Sequence, residues 1–425
     1  MLLCALAISG LFVLALTTVP RFLAISIAAW RANPAIIQVA MSDPVSSSQD
    51  HGRTALVLAG GGARAAYQVG VLLAVRDLLP PDSPNPFPIL CGTSAGAINA
   101  AALACYADSY DAAVDALAGV WRNFHVGQVY RSDPLGVAAS GARWLGALAF
   151  GWLFNKSPRS LLDNRPLREL LERRLDFGRI GRAIDAGSLY AVSLTASGYT
   201  SGQSVSFFEA RSDAPAWTRT HRFGCRARLG VDHVLASSAI PFFFPAVRLS
   251  REYFGDGSMR QLAPISPAIH LGAEKILIVG SGRMSNKTER QHSSTYPTLA
   301  QIAGHVLSSI FLDSLAVDIE RMQRINQTLS AVPDEVKRQG TIPLRAIQLL
   351  VISPSERLDF LAARHVKSLP WPVRWLLRSM GAMSRRGGAL ASFLLFESSY
   401  TRLLIDLGYK DTMARRDELV AFLEV

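Results

Sequence analysis

A serine between two glycines, in Gly92-Thr93-Ser94-Ala95-Gly96, is the group in this chain best placed for covalent chemistry. A hydroxyl is a weak nucleophile at neutral pH. It needs a base beside it and hydrogen-bond donors for the negative charge its attack creates. Upstream, residues 88–91 close an apolar run that predicts a short buried strand. Downstream, residues 95–107 are rich in Ala and Leu and predict a helix. A serine on the sharp turn between such a strand and helix is a nucleophile elbow. Glycines on both sides keep the turn sterically possible. The helix N-terminus aims unpaired N–H groups back at the serine. The competing reading of the pentapeptide is an ordinary Gly/Ser turn.

Two other stretches offer the donors and the base. Residues 54–58 (TALVL) predict a buried strand running into Gly60, Gly61, Gly62 and Arg64, then a helix over about residues 65–79. Backbone N–H groups of such a loop reach an anion without hindrance from Cβ. Gly60-x-Gly62-x-x-Ala65 also fits a loose dinucleotide fingerprint. That reading wants an acidic residue ending a second strand about 20 positions on. Asp77 falls instead within the helix and Asp82 in a proline-rich loop. Ser94 favours the oxyanion reading. Asp256 lies between glycines in YFGDGS, after a short predicted strand, although Asp-Gly alone is usually a turn. His233 is the other candidate base, on a helix predicted over residues 233–239. It is read as structural, with a histidine triad as the alternative.

These elements, in this order, resemble the patatin-like phospholipase family. Its pattern is a G-G-G-x-R/K loop, a G-x-S-x-G nucleophile and a D-G-A/G aspartate. Residues 236–241 (ASSAIP) with Phe244-Pro245 resemble that family's A-S-x-A-I-P block, and the resemblance spans about residues 54–280. It implies Ser94 as nucleophile and Asp256 as the second member of a Ser–Asp dyad. It implies Gly60, Gly61, Gly62 and Arg64 as the oxyanion and substrate-binding loop. Ala59 stands where an acidic or polar residue often precedes the glycines. Ala65 replaces the glycine usual after the basic residue, and Ser258 follows Asp256-Gly257 in place of Ala or Gly. The implied fold is a three-layer α/β/α fold with a mostly parallel central sheet and C-terminal helical additions. The implied reaction is cleavage of fatty-acyl esters of phospholipids or lysophospholipids, with no metal and no organic cofactor. A dyad without histidine requires the aspartate to take the serine proton itself, so its pKa must be raised by burial. Phe254 and the phenylalanines near 243 are candidates for that apolar surrounding. Two readings from other classes stand beside this one. One is a membrane-associated scaffold or pseudoenzyme on the same fold. The other is a nucleotide-binding oxidoreductase, which leaves the serine elbow unexplained.

Composition sets the wider frame. The chain has 425 residues, 49% hydrophobic and 18% charged, which excludes a disordered chain and supplies ample core. A net charge of +11 suits anionic lipid, acidic substrate or nucleic acid. No zinc-finger spacing or RNA-recognition signature is present, so nucleic acid is not expected as a partner. The four cysteines form no C-x-x-C pair, which suits a reducing compartment. The expected organisation is an apolar segment and linker over residues 1–50, a catalytic core over 51–285 and a helical extension over 286–425 completing the domain. Residues 2–19 are just long enough to cross a membrane, and Arg21 and Arg31 would keep the C-terminal side on the cytoplasmic face. Met41 could equally be the start, residues 1–40 being a mis-assigned extension. The protein is therefore expected in the cytoplasm or on the cytoplasmic face of a membrane. Two tryptophan-rich stretches carry paired readings. Residues 141–154 predict a core helix or a lid dipping into a membrane. Residues 369–383 set Trp371, Trp375, Leu376 and Leu377 beside Arg374 and Arg378, as a packed helix with snorkelling arginines or a membrane-surface contact.

Overall fold

The computed structural model describes residues 53–81, 83–134, 136, 141–142, 160–284, 296–338, 344–379, 381–383 and 387–424. The apolar segment before residue 51, most of residues 141–154, Asp82 and most of the polar stretch 281–297 lie outside the described residues.

The strands are β1 (Thr54–Leu58), β2 (Ile89–Thr93), β3 (Ala191–Gly198), β4 (Ser204–Ala210), β5 (Trp217–Arg219), β6 (Arg222–Arg226), β7 (Val247–Leu249), β8 (Glu252–Asp256), β9 (Lys275–Val279) and β10 (Gln348–Ile352). They form one sheet in the order β10-β9-β1-β2-β3-β4-β6-β5, with β8 on β3 and β7 on β8. From β10 to β3 every pairing is parallel. The pairings of β3 with β4 and β8, of β5 with β6 and of β7 with β8 are antiparallel. The fold is a three-layer α/β/α sandwich with a mostly parallel central sheet, as its sequence implies. The hairpin β5–β6 and strand β7 are too short for their alternation to announce them.

Parallel neighbours need crossovers, and helices provide them on both faces. Along β1, Leu56 and Leu58 enter one apolar core while Ala55 and Val57 enter the other. In β9, Leu277 and Val279 divide from Ile276 and Ile278 in the same way. Alternate side chains of a strand point to opposite faces. A strand covered on both sides therefore reads as an unbroken apolar run, which is why TALVL and KILIV stand out.

The helices that matter for the site are α1 (Ala66–Leu78), α2 (Ala95–Cys105), α3 (Tyr110–Arg122), α4 (Arg165–Arg174), α5 (Val231–Ser237), α6 (Leu299–Ser330), α7 (Trp371–Ser379), α8 (Gly388–Leu394) and α9 (Ser398–Met413). Helix α6 is long and apolar enough to cross a membrane by composition alone. Its Leu315, Ile319 and Met322 lie in the core, and its buried Asp318 accepts the Ile265 N–H at 3.0 Å. It is therefore packed as a helix of the domain, interrupted by a π turn at Ser309–Asp313. Residues after 285 also supply β10 to the sheet edge, and His51–Val425 form one compact unit.

Helices α1 and α9 meet backbone to backbone. A Cβ on Gly70 would stand 1.9 Å from the Ile405 carbonyl oxygen, and one on Gly408 would stand 2.1 Å from that of Tyr67. Backbone cannot swing aside as a side chain can. Gly408→Ala is expected to lower stability by roughly 1–3 kcal/mol through overpacking, despite alanine's better helix propensity. A shift of the urea midpoint measures this; an unchanged or higher midpoint would contradict the close crossing.

Candidate active site

The elbow forms as its sequence requires. Strand β2 ends at Thr93, helix α2 begins at Ala95, and Ser94 between them takes φ 56° and ψ −127°. A non-glycine residue at positive φ is strained, and such strain persists only where its surroundings hold it. Several contacts hold it here. The Ala97 N–H donates to the Ser94 carbonyl at 2.9 Å, starting the helix. The Ser94 N–H donates to Ser237 Oγ at 3.0 Å, and that hydroxyl donates to the Thr195 carbonyl at 2.6 Å. Gly96 packs so closely on β1 that a Cβ would stand 2.2 Å from the Leu58 carbonyl oxygen.

Sheet register brings in the aspartate. Strand β2 climbs beside β3 in parallel and stops with Thr93 opposite Thr195. Strand β8 descends antiparallel to β3 and stops with Asp256 opposite Ala196. The opposite edge of β3 is taken by β4. The C-terminal ends of β2 and β8 therefore meet head to head along one edge of β3. Ser94 Oγ donates to Asp256 Oδ2 at 2.6 Å across 162 residues of sequence. Asp256 Oδ1 accepts the Ser258 N–H at 2.9 Å. The carboxyl group is fully buried, and burial pushes its pKa up to about 6 even though Ser94 and Ser258 both favour the charged form. Phe254, two residues earlier on the same face of β8, is buried against Phe207. His233 packs its ring edge-on against Phe207, and its buried Nδ1 has no hydrogen-bond partner. No contact links it to Ser94 or Asp256, so the structural reading of this histidine fits the geometry and a triad does not.

The glycine loop leaves β1 next to the elbow, because Leu58 lies opposite Gly92. A Cβ on Gly60 would stand 3.0 Å from Ser94 Cβ and 2.5 Å from Ser258 Oγ, so only glycine fits there. Gly62 takes φ 55° beside the Phe393 carbonyl. Among the described residues no acceptor takes the N–H groups of Gly61 and Gly62. Buried side chains fix the loop's carbonyls instead. Trp121 Nε1 donates to Asn99, Asn99 donates to Gln68, and Gln68 donates to the Ala59 carbonyl at 2.7 Å. Ser281 donates to the Gly60 carbonyl. A buried relay of this kind is rigid because every member is satisfied.

Arg64 requires a correction. Its expected place was the substrate-binding loop, but its buried guanidinium turns to the C-terminal helices. Nε donates to Ser392 Oγ at 2.8 Å, and the group lies 3.9 Å over the Phe393 ring. Burial pushes its pKa down, and Arg64 does not line the cavity at Ser94. It braces the loop. The phenylalanines also divide. Phe243 and Phe244 are buried, whereas Phe242 is 74% exposed at φ 67°.

Beside Ser94 lies an apolar cavity of about 120 Å³, walled by Trp121, Phe124, Leu171, Ile240, Phe244 and Phe396 among others. Helices α2, α3 and α4 supply most of the wall, and Leu167, Leu170 and Leu171 of the Arg/Glu-rich helix α4 line the cavity together with Arg174 at the end of that helix. Cys91 and Cys105 are buried thiols whose pKa burial pushes up to about 12, so they are not nucleophiles at neutral pH. Among the described residues no cluster of His, Cys, Asp and Glu could hold a metal ion.

A sequence model of the patatin-like phospholipase family matches residues 56–269. The chain belongs to that family. Over 210 residues it is 30% identical to a cGAMP-activated phospholipase of Pseudomonas aeruginosa, covering 49% of this chain and 53% of that protein. The chain thus spans about half the length of the curated relative it matches. Among solved structures it is similar to VipD from Legionella pneumophila, at 13% identity and a TM-score of 0.34, over 87% of this chain and 67% of that one. Within this patatin-like domain, Ser281, Gln68 and Asn99 are site-supporting residues that sequence reasoning did not name, and Ser237 entered it only as part of the ASSAIP block, with no role. Gln68 and Asn99 had a signal, as lone amides within apolar helices.

The Asp256 carboxyl binds a proton more tightly in the folded chain than the ordinary value of 3.8 allows. Stability is therefore lost as pH rises through the interval between 3.8 and about 6, and the penalty is complete above it. Asp256→Asn is expected to stabilise the fold at pH 8, by on the order of 2–3 kcal/mol, and to give no gain near pH 3.5. Thermal melts of both proteins at the two pH values test it. Equal melting temperatures at pH 8 would contradict the raised pKa.

Proposed function

We propose that the chain is a serine acyl hydrolase that cleaves fatty-acyl esters of phospholipids or lysophospholipids at a membrane surface. The observation that carries this reading is the 2.6 Å hydrogen bond from Ser94 to a buried, weakly acidic Asp256 at the wall of an apolar cavity. An acyl chain in that cavity would bring its ester carbonyl to Ser94 Oγ. As Oγ attacks, Asp256 takes the hydroxyl proton. The oxyanion accepts hydrogen bonds from the N–H groups of Gly61 and Gly62, and the Ala95 N–H at the start of α2 is a further donor. The tetrahedral intermediate collapses, the proton passes from Asp256 to the leaving alcohol, and an acyl-serine remains. Asp256 then takes a proton from water, whose oxygen attacks the acyl carbonyl; the bond to Oγ breaks, the fatty acid leaves, and Asp256 returns the proton to Ser94 Oγ. A carboxylate with a pKa of about 6 is charged at pH 7 yet far more basic than an exposed one, which is what this step needs.

Release of fatty acid from phospholipid vesicles by the purified chain tests the reading. Ser94→Ala is expected to reduce the rate by about 10³-fold or more while the melting curve stays cooperative. Full activity in that variant would refute the serine mechanism. A folded, inactive wild-type protein would support the scaffold reading.

A further inference from the structure

Helix α7 carries its tryptophans on the wrong side for a core helix. Val373 and Leu377 are buried on its inner face. Trp371 and Trp375, one turn apart on the outer face, are 62% and 69% exposed. Arg378, another turn on, extends the same exposed stripe. Burying these indoles would remove a large apolar area from water. The neighbouring sequence is one-signed: residues 360–379 contain no Asp or Glu, but they hold Arg364, Lys367, Arg374 and Arg378. Arg364 and Lys367, on the helical segments just before α7, are exposed, and Arg374 Nη1 donates to the Lys367 carbonyl at 3.2 Å.

The patch also continues past the helix. Gly381 packs on Thr298, which caps the start of α6. From there Leu299, Ile302 and Val306 form an exposed apolar row on α6. The same helix carries Phe311 in its π turn, close enough to Gly60 that a Cβ there would lie 2.8 Å from its ring.

We propose that the outer face of α7, continued by Leu299, Ile302 and Val306, docks the protein on an anionic lipid bilayer. The indoles enter the headgroup boundary and the arginines and lysine meet acidic headgroups. Aromatic anchors with interleaved basic residues on a short helix match an interfacial surface. The excess of basic residues along this segment complements a surface of uniform negative charge. The proposal rests on the lipid reading of the site only for its purpose, and it can fail separately.

The test uses the full chain, with vesicles of phosphatidylcholine alone or containing about one-third phosphatidylserine, some carrying brominated acyl chains that quench tryptophan. Every protein compared, the one called wild type included, carries Trp30→Phe, Trp144→Phe and Trp152→Phe, so quenching reports on α7. Wild type should be quenched by brominated anionic vesicles. The quenched component should vanish in Trp371→Phe/Trp375→Phe, and Arg378→Gln with Lys367→Gln should weaken the preference for anionic vesicles about tenfold. Hydrolysis of a soluble short-chain ester should be unchanged in all of them, showing that the site is intact. Ser94→Ala should be quenched like wild type. Loss of ester hydrolysis in wild type with quenching retained would sink the hydrolase reading and leave docking standing. Quenching that survives removal of both indoles would overturn the docking proposal. So would a wild type that binds neither vesicle, which would make α7 a contact for another protein.

Discussion

The meeting of two strand ends on one edge of β3 is the constraint on which the site depends. Ser94 and Asp256 are far apart in sequence, and neither could place the other through local structure. Strand β2 stops opposite Thr195 and strand β8 stops opposite Ala196, so the serine just past one end and the aspartate at the other are forced together. A slip of one residue between β8 and β3 would turn the carboxylate to the other face of the sheet, and one between β2 and β3 would displace the elbow. Gly257 guards that register, because a Cβ there would stand 2.0 Å from the Thr195 carbonyl oxygen.

The C-terminal part of the chain contributes to the site without supplying either reacting group. Phe311 of α6 and Phe393 of α8 pack at a tilt with ring centroids 5.1 Å apart, and Arg64 lies over Phe393 from the glycine-loop side. The loop is thereby wedged between the elbow and two side chains drawn from distant helices. Preorganised N–H donors are worth most when they need not move as charge develops. Helix α9, crossing α1 at Gly70 and Gly408, anchors the helix that leads out of the loop. Residues after 285 are thus part of the machinery's frame rather than an appendage to it.

Much of this was legible in sequence, for identifiable reasons. Buried parallel strands are continuous apolar runs, and glycine-flanked turns leave motifs, so β1, β2, β9, the elbow and the aspartate turn could all be read. The role of Arg64 could not. Its type and spacing match a family motif, but its direction is set by Ser392 and Phe393, 328 and 329 positions on. The roles of Ser237, visible only as part of the ASSAIP block, and of Ser281 were equally hidden, because their hydroxyls matter through backbone atoms that only the fold brings near. The leucines of α4 were masked by the charged residues beside them.

The central claim is that a carboxylate, with no histidine, takes the Ser94 proton. The rate of fluorophosphonate labelling at Ser94, followed against pH, measures this directly. The account predicts a rise with an apparent pKa near 6, unchanged in His233→Ala, and a rate about 10²–10⁴-fold lower in Asp256→Asn. Labelling of Asp256→Asn at the wild-type rate, or disappearance of the acid limb in His233→Ala, would contradict it.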